Sequence, residues 1–392
     1  MELFGAVKRN NAEEVEKLLK SKAKEIDVNY QEIYKYLNKG VHQERLYTSL
    51  HLACKEGYTE IVQLLLQWDG IFVNKPHNLG GSPLYVACYY GRIEVVKLMM
   101  TDERVDVNQQ MEDATPFYIA CQEGHLEVVK WMMRDPRVDI NKKINDGATP
   151  FYVSCGHGYL DIVKWMMLDP RVDVNQPNVN NATPFYVACQ EGNLMVVDWM
   201  MKDSRVLVNG QMSDGYGPFL IACFNSHREV VELMMQNPRI DMNQQNSYGY
   251  AALHISVMRP EIAQLLIANA KVNINAVDLH KKTPLHLAFL DYPAAEALFF
   301  FKTLVSSGRH VNLNMQDDQG LTQMQIAKTR NSPELIKFIE AYTLDRDKVV
   351  DQIRAQLRLV KLKKQLKFVY SCSDGQLADV KKLILRHGKR RF

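Results

Sequence analysis

The sequence repeats itself. The stretch TPFYIACQEGHLEVVKWMMRDPRVDIN at 115–141 recurs almost verbatim at 149–175 and 183–209. Looser copies begin at Thr48, Ser82, Gly217, Ala251, Thr283 and Thr322, and from Thr48 to Ala251 the steps are 34, 33, 34, 34, 34 and 34 residues. A fixed period in this range means one small supersecondary unit stacked many times, each copy touching only its neighbours. This outweighs chain length as a guide. A chain of 392 residues suggests two or three globular domains, whereas the repeats argue for one elongated body.

The unit follows from its residues. Thr115 offers a hydroxyl to free backbone N–H groups at a helix start, and Pro116 suits the first helical position, where its missing N–H costs nothing. Phe117, Ile119 and Ala120 give that helix an apolar side, and Gly124 ends it in a left-handed reversal. Leu126, Val128, Val129, Trp131, Met132 and Met133 make a second helix, apolar over much of its surface. This pattern places the Trp131, Trp165 and Trp199 series and the paired methionines in helix cores. Asp135–Pro136 stops the second helix, and Val138–Asn141 alternates like a short extended arm. Helices of about nine residues are unstable alone in water, so the copies must stack.

The motifs TPLHLA at 283–288, GHLEVVK at 124–130 and VDVN at 172–175 resemble the ankyrin repeat family over Met1 to about Ala341. The resemblance implies an all-α ankyrin-repeat solenoid of about 11 helix-turn-helix repeats with short β-hairpin-like arms. The array occupies 1–343, with a capping repeat at 1–29, regular repeats at 44–243 and irregular ones at 247–343. Residues 344–392 make a basic segment: a longer helix over Asp345–Lys367, then a terminal repeat over Phe368–Leu385. Tyr30–Tyr47 is either an extended arm or an extra helical turn, since Tyr30, Ile33, Tyr34 and Leu37 have near-helical spacing. Asp113 and Asn181 replace a turn glycine with the types that tolerate its conformation next best, and Ser226 at the other glycine slot implies a strained or rearranged turn.

All seven cysteines share one slot of the repeat, the first-helix position of Cys54, Cys88, Cys121, Cys155, Cys189 and Cys223, with Cys372 in the same setting. Stacked helices lie about 8–10 Å apart, beyond the roughly 7 Å Cα limit of a disulfide. The thiols are therefore expected reduced and buried, in a reducing compartment. With no basic-then-apolar leader and no apolar run of membrane-spanning length, the expectation is a soluble intracellular protein, cytoplasmic first and nuclear second.

No Gly-rich phosphate loop, GxSxG, HExxH or distinctive carboxylate pair is present. The sequence thus argues against an enzyme, and no cofactor, metal or small-molecule substrate is expected. His51, His254 and His286 share one repeat slot, as do His125 and His227, which suits turn-stabilising donors better than ligands or bases. The tyrosine series Tyr85, Tyr118, Tyr152 and Tyr186 fits inter-repeat packing with a polar tip.

Charge is segregated. Residues 344–392 carry 14 Lys and Arg against 5 Asp, a net of +9, while the whole chain is +3, leaving −6 for the rest. Arg354, Arg358, Lys361, Lys363, Lys364 and Lys367 cluster, and Lys389-Arg390-Arg391 ends the sequence. Such a segment could contact nucleic acid, acidic lipid or the acidic repeats of another copy, or serve as a nuclear-import signal. A solvated helix face with a frayed tail accounts for it better, because aromatic interleaving is missing.

The resemblance implies a binding scaffold that grips one or more proteins with hairpin tips and the exposed side of the first helices. On the first helices these positions are Lys55, Glu56, Tyr89, Tyr90, Gln122, Glu123, Gly156, His157, Gln190, Glu191, Phe224 and Asn225. The hairpins add Leu79, Gly81, Glu112, Ala114, Asp146, Ala148, Asp214, Tyr216, Tyr248 and Tyr250. The aromatics Tyr89, Tyr90, Tyr216, Phe224, Tyr248 and Tyr250 are the expected anchors, at slots with no packing duty. Two alternatives remain: an adaptor binding nucleic acid or acidic membranes through the basic segment, and the regulatory part of an enzyme whose catalytic domain lies elsewhere.

Overall fold

The computed structural model describes residues 1–22, 25–38 and 41–370, excepting the side chains of 36–43 and 359–370. Contacts divide the chain into two compact units, Met1–Asp241 and Met242–Phe392. The first holds seven helix pairs: α1–α2 (Glu2–Lys8, Ala12–Ser21), α3–α4 (Ser49–Glu56, Thr59–Leu66), α5–α6 (Pro83–Tyr89, Ile93–Thr101), α7–α8 (Pro116–Gln122, Leu126–Met132), α9–α10 (Pro150–Gly156, Leu160–Met167), α11–α12 (Pro184–Gln190, Leu194–Met201) and α13–α14 (Pro218–Phe224, Arg228–Gln236). The second holds α15–α16 (Ala252–Ile255, Pro260–Ala268), α17–α18 (Pro284–Asp291, Ala294–Ser306), α19–α20 (Gln323–Thr329, Pro333–Leu344) and the long helix α21 (Arg346–Tyr370). Each unit is an all-α stack of pairs. The shortened copy at Ala251 becomes the four-residue α15, and the insertion near residue 291 lengthens α18 to 13 residues. Phe368–Tyr370 finish α21, and the rest of the expected terminal repeat lies outside the described residues.

Capping works as the residues require. Thr115 has extended backbone and its hydroxyl accepts from the Tyr118 N–H, and Thr48, Ser82, Thr149, Thr183, Thr283 and Thr322 do the same. First helices pack on first helices, and the buried faces carry Phe117, Phe151, Phe185 and Phe219 beside buried cysteines such as Cys88, Cys121, Cys155 and Cys189. Outside this core a polar lattice ties each repeat to the next. The Asn108 side-chain amide donates to the Arg137 carbonyl at 2.7 Å, and its oxygen accepts from the Asp139 N–H at 2.9 Å. Arg137 reaches back to the Met100 carbonyl at 2.6 Å and is held by Asp135. Asn74 and Asn175 make the equivalent pairs of bonds.

The structure decides four sequence expectations. Tyr30–Tyr47 takes the extended alternative, as an antiparallel hairpin of β1 (Glu32–Asn38) and β2 (Val41–Tyr47), in register from Glu32↔Tyr47 to Asn38↔Val41. The period-2 alternation of β-favouring Ile33 and Tyr34 prevails over the helical spacing, and Tyr34 stacks on Tyr47 at 6.0 Å. The tryptophans leave the core: Val128, Val129 and Met132 occupy one arc of α8, and Trp131 falls about 60° outside it at 100° per residue. Trp131, Trp165 and Trp199 instead lie at the surface beneath Lys97, Lys130 and Lys164, whose ammonium groups stand 5.5, 5.4 and 5.0 Å from the ring centroids. The basic helix α21 packs on α18 and α20, with Val349, Val350 and Ile353 buried. At Ser226 the turn is strained without being rearranged.

Ser226 takes φ +62, as Gly124 takes φ +81, and the closing bonds match, His227 N–H to Ala222 O and His125 N–H to Ala120 O, both 3.0 Å. Asp113 (φ +73) and Asn181 (φ +63) accept the left-handed form at the hairpin slot. A left-handed serine costs about 1–2 kcal/mol, partly offset by the greater backbone entropy a glycine loses. Ser226→Gly is therefore expected to stabilise the first unit by about 0.5–1 kcal/mol in denaturant unfolding, and a loss of stability would refute the strain.

Candidate functional site

The free ends of α5, α7, α9, α11 and α13, with the hairpin tips before them, form one lane of the first unit. Its floor is the tyrosine series. Tyr85, Tyr118 and Tyr186 are buried and Tyr152 is half-buried, its hydroxyl 3.4 Å from the Asn178 amide. Burial first, and then nearby carboxylates, push these phenols up: Glu112 and Glu123 act on Tyr85, Asp146 and Asp113 on Tyr118, Asp146 and Glu191 on Tyr152, and Asp214 on Tyr186. The floor is therefore neutral and its rim acidic.

Aromatic pairs stand at both ends of the lane. Tyr89 and Tyr90 meet edge to face at 4.9 Å, and Tyr216 and Phe224 do so at 6.2 Å. Phe224 is 44% exposed, while Tyr89, Tyr90 and Tyr216 are half-buried. Between them Gln122, Glu123 and Gln190 are half-buried, and His157, Glu191 and Asn225 are exposed. In the second unit Tyr248 is 61% exposed and tilts against Tyr250 at 6.2 Å, and Tyr250 stacks on His254. These aromatics do have packing duties, contrary to the sequence expectation. Tyr89 and Tyr90 are neighbours at one helix end and Tyr248 and Tyr250 share a hairpin tip, whereas Tyr216 meets Phe224 because a hairpin tip and a helix end converge.

Three expected surface positions are buried. Lys55 lies between the rings of Tyr34 (5.4 Å) and Tyr90 (5.0 Å) and pairs with Glu56 at 2.5 Å. The inserted hairpin supplies Tyr34, which explains the burial. Gly81 faces the His77 ring, and Ala148 is 3% exposed.

The histidines serve the turns. His51 Nδ1 accepts from the Thr48 N–H at 3.2 Å, and its Nε2 lies 3.1 Å from the Gly81 carbonyl of the next repeat. His254 does the same with Ala251 and Lys282, and His125 and His227 reach the Tyr89 and Gln190 carbonyls. Sequence reasoning missed Gln325, whose side-chain oxygen accepts from the Thr322 N–H at 2.7 Å in the same role. Of the basic cluster, Arg354 donates to the Ser306 carbonyl at 3.0 Å, and Arg358 is exposed. The side chains of Lys361, Lys363, Lys364 and Lys367 lie outside the described residues. Among the described residues no His, Cys, Asp and Glu group could hold a metal, and no helix is long and apolar enough to cross a membrane.

The family model for ankyrin repeats (3 copies) matches residues 3–111, 103–178, 168–246 and 219–302. The chain belongs to the ankyrin-repeat family. None of the curated proteins compared with it matches. Ankyrin repeats are generally protein-interaction modules and mostly non-catalytic, which agrees with a lane of ordinary polar and aromatic side chains.

Burial makes this ankyrin array sensitive to acid. It holds the His51 imidazole down to about 3 and His77 to about 4, against an ordinary 6.5, with the Arg45 charge adding to the effect at His77. Both rings are neutral when folded and charge on unfolding. Their contribution is thus full above pH 6.5 and is lost as pH falls toward 4 and then 3. His51→Gln copies Gln325, and His77→Asn copies Asn246, whose side chain accepts from the Tyr248 and Tyr250 N–H groups. The double variant is expected to flatten the decline between pH 6.5 and 4 in thermal unfolding, and an unchanged slope would contradict the assignment.

Proposed function

We propose that this ankyrin protein is a non-catalytic scaffold that holds a protein partner along the lane of its first unit. The observation carrying the proposal is the pair of aromatic clusters, Tyr89–Tyr90 and Tyr216–Phe224, bracketing a polar stretch along the free ends of the first helices. Aromatic anchors of this kind concentrate binding energy, because they bury large area at small conformational cost. The exposed Tyr248 beside Tyr250 offers the second unit a similar anchor. Six buried thiols suit a reducing compartment, so we place the protein in the cytoplasm, with the nucleus as the alternative.

Affinity purification of the full chain followed by mass spectrometry tests the role. Proteins captured by the wild type should be lost from Tyr89→Ala/Tyr90→Ala or Tyr216→Ala/Phe224→Ala. A hot-spot truncation costs about 2 kcal/mol or more, roughly thirtyfold in affinity. Retention of every partner by both correctly folded double variants would reject the lane as the binding surface.

A further inference from the structure

Many carboxylates of the first unit outside the lane form ion pairs, although Asp106, Asp139 and Asp173 accept from backbone N–H groups instead. On the second helices Glu94, Glu127 and Asp198 pair with Lys97, Lys130 and Lys202 at 2.6–2.8 Å. In the turns that follow, Asp102, Asp135, Asp169 and Asp203 each hold an arginine two residues on at 2.6 Å. Along the lane the pattern stops. Asp113 accepts from the Asn145 N–H, Asp146 from the Ala148 N–H, Asp214 from the Tyr216 N–H and Glu191 from the Gln190 amide. All of these donors are neutral, and among the described residues none of these four carboxylates, nor Glu112, forms an ion pair. Lys55, the cation at the end of the lane, is buried against Glu56.

Five carboxylates without an ion pair over four consecutive repeats repel one another, although Asp113 also ties its hairpin to the next repeat through the Asn145 N–H. They create a negative field over a neutral tyrosine floor, and an opposite charge arriving from outside relieves it. The lane runs across five first helices. At about 8–10 Å per helix this is about 32–40 Å, the reach of an extended peptide of about ten to twelve residues at about 3.3 Å each. In such a peptide every third residue advances about 10 Å, one repeat.

We propose that the lane seats an extended Lys/Arg-rich peptide segment of a partner protein, its cations meeting Glu112, Asp113, Asp146, Glu191 and Asp214 in successive repeats while the two aromatic pairs clasp its ends. This rests on the scaffold role proposed above and names the partner's chemistry. Arginine fits best, because its planar fork engages a carboxylate with two hydrogen bonds and stacks on tyrosine.

The test is fluorescence anisotropy with a labelled 15-residue peptide of five Arg-Ser-Ala triplets, titrated with the full chain at low and high salt. The variant Glu112→Gln/Asp146→Asn/Glu191→Gln should weaken binding at least tenfold at low salt and reduce the salt dependence. The control Glu94→Gln/Glu127→Gln/Asp161→Asn removes the same charge from the second helices and should stay within twofold of wild type. Equal weakening by both would mean that net charge alone attracts the peptide, and no weakening by the lane variant would mean that the lane does not hold it. Either result overturns the proposal. Should the triple variant misfold, Asp113→Asn/Asp214→Asn gives the same test at other sites, with a smaller loss expected. If captured partners depend on the aromatic pairs while the peptide ignores the lane carboxylates, only the basic-peptide assignment fails and the scaffold role stands.

Discussion

Helices of seven to ten residues, such as α1 and α2, bury too little surface to survive alone, so every element of the first unit depends on the equivalent element of its neighbour. Two kinds of contact meet that need. Inside, phenylalanines, cysteines and methionines stack slot on slot, and Cys88, Cys155 and Cys189 come within 3.6–3.8 Å of methionine sulfurs from the second helix of the next repeat. Outside, the Asn108, Arg137 and Asp135 lattice is remade in successive copies, satisfying turn backbone that would otherwise be stranded. Stability is then a sum over neighbouring interfaces rather than a property of one core.

This division of labour explains where function can reside. Residues that cap, reverse or stack are fixed by their job, and replacements appear only where another group performs it. Gln325 stands in for a histidine, Asp113 and Asn181 for a glycine, and Ser226 keeps its turn under strain. The ends of the first helices and the hairpin tips carry fewer such duties. There the copies vary, with Tyr89–Tyr90, Gln122–Glu123, Gly156–His157, Gln190–Glu191 and Phe224–Asn225 at the same slot. Variation at such surface positions is compatible with binding one partner along the array.

The surface aromatics show how much of the site the sequence displays. Tyr89, Tyr90, Tyr216 and Phe224 were recognisable as surface candidates from their repeat slots, but which of them would touch was not. Tyr216 comes 8 residues before Phe224 and touches it only because the hairpin tip folds over the helix end. Lys55 read as exposed because a repeat pattern has no place for β1, whose Tyr34 covers it. The tryptophans failed for another reason: a hydrophobic count does not fix azimuth, and the core arc of α8 was already filled by valine and methionine.

The sequence alone determined the all-α repeat architecture, the capping and turn chemistry, the buried thiols and the candidate surface. These follow from local conformation and a fixed period, and each residue reports on them independently. Tertiary structure decided which side chains meet across repeats: the lysine-covered tryptophans, the docking of α21 and the five lane carboxylates that form no ion pair among the described residues. Those depend on distances between residues about thirty positions apart, and stacking geometry sets such distances where composition and spacing do not.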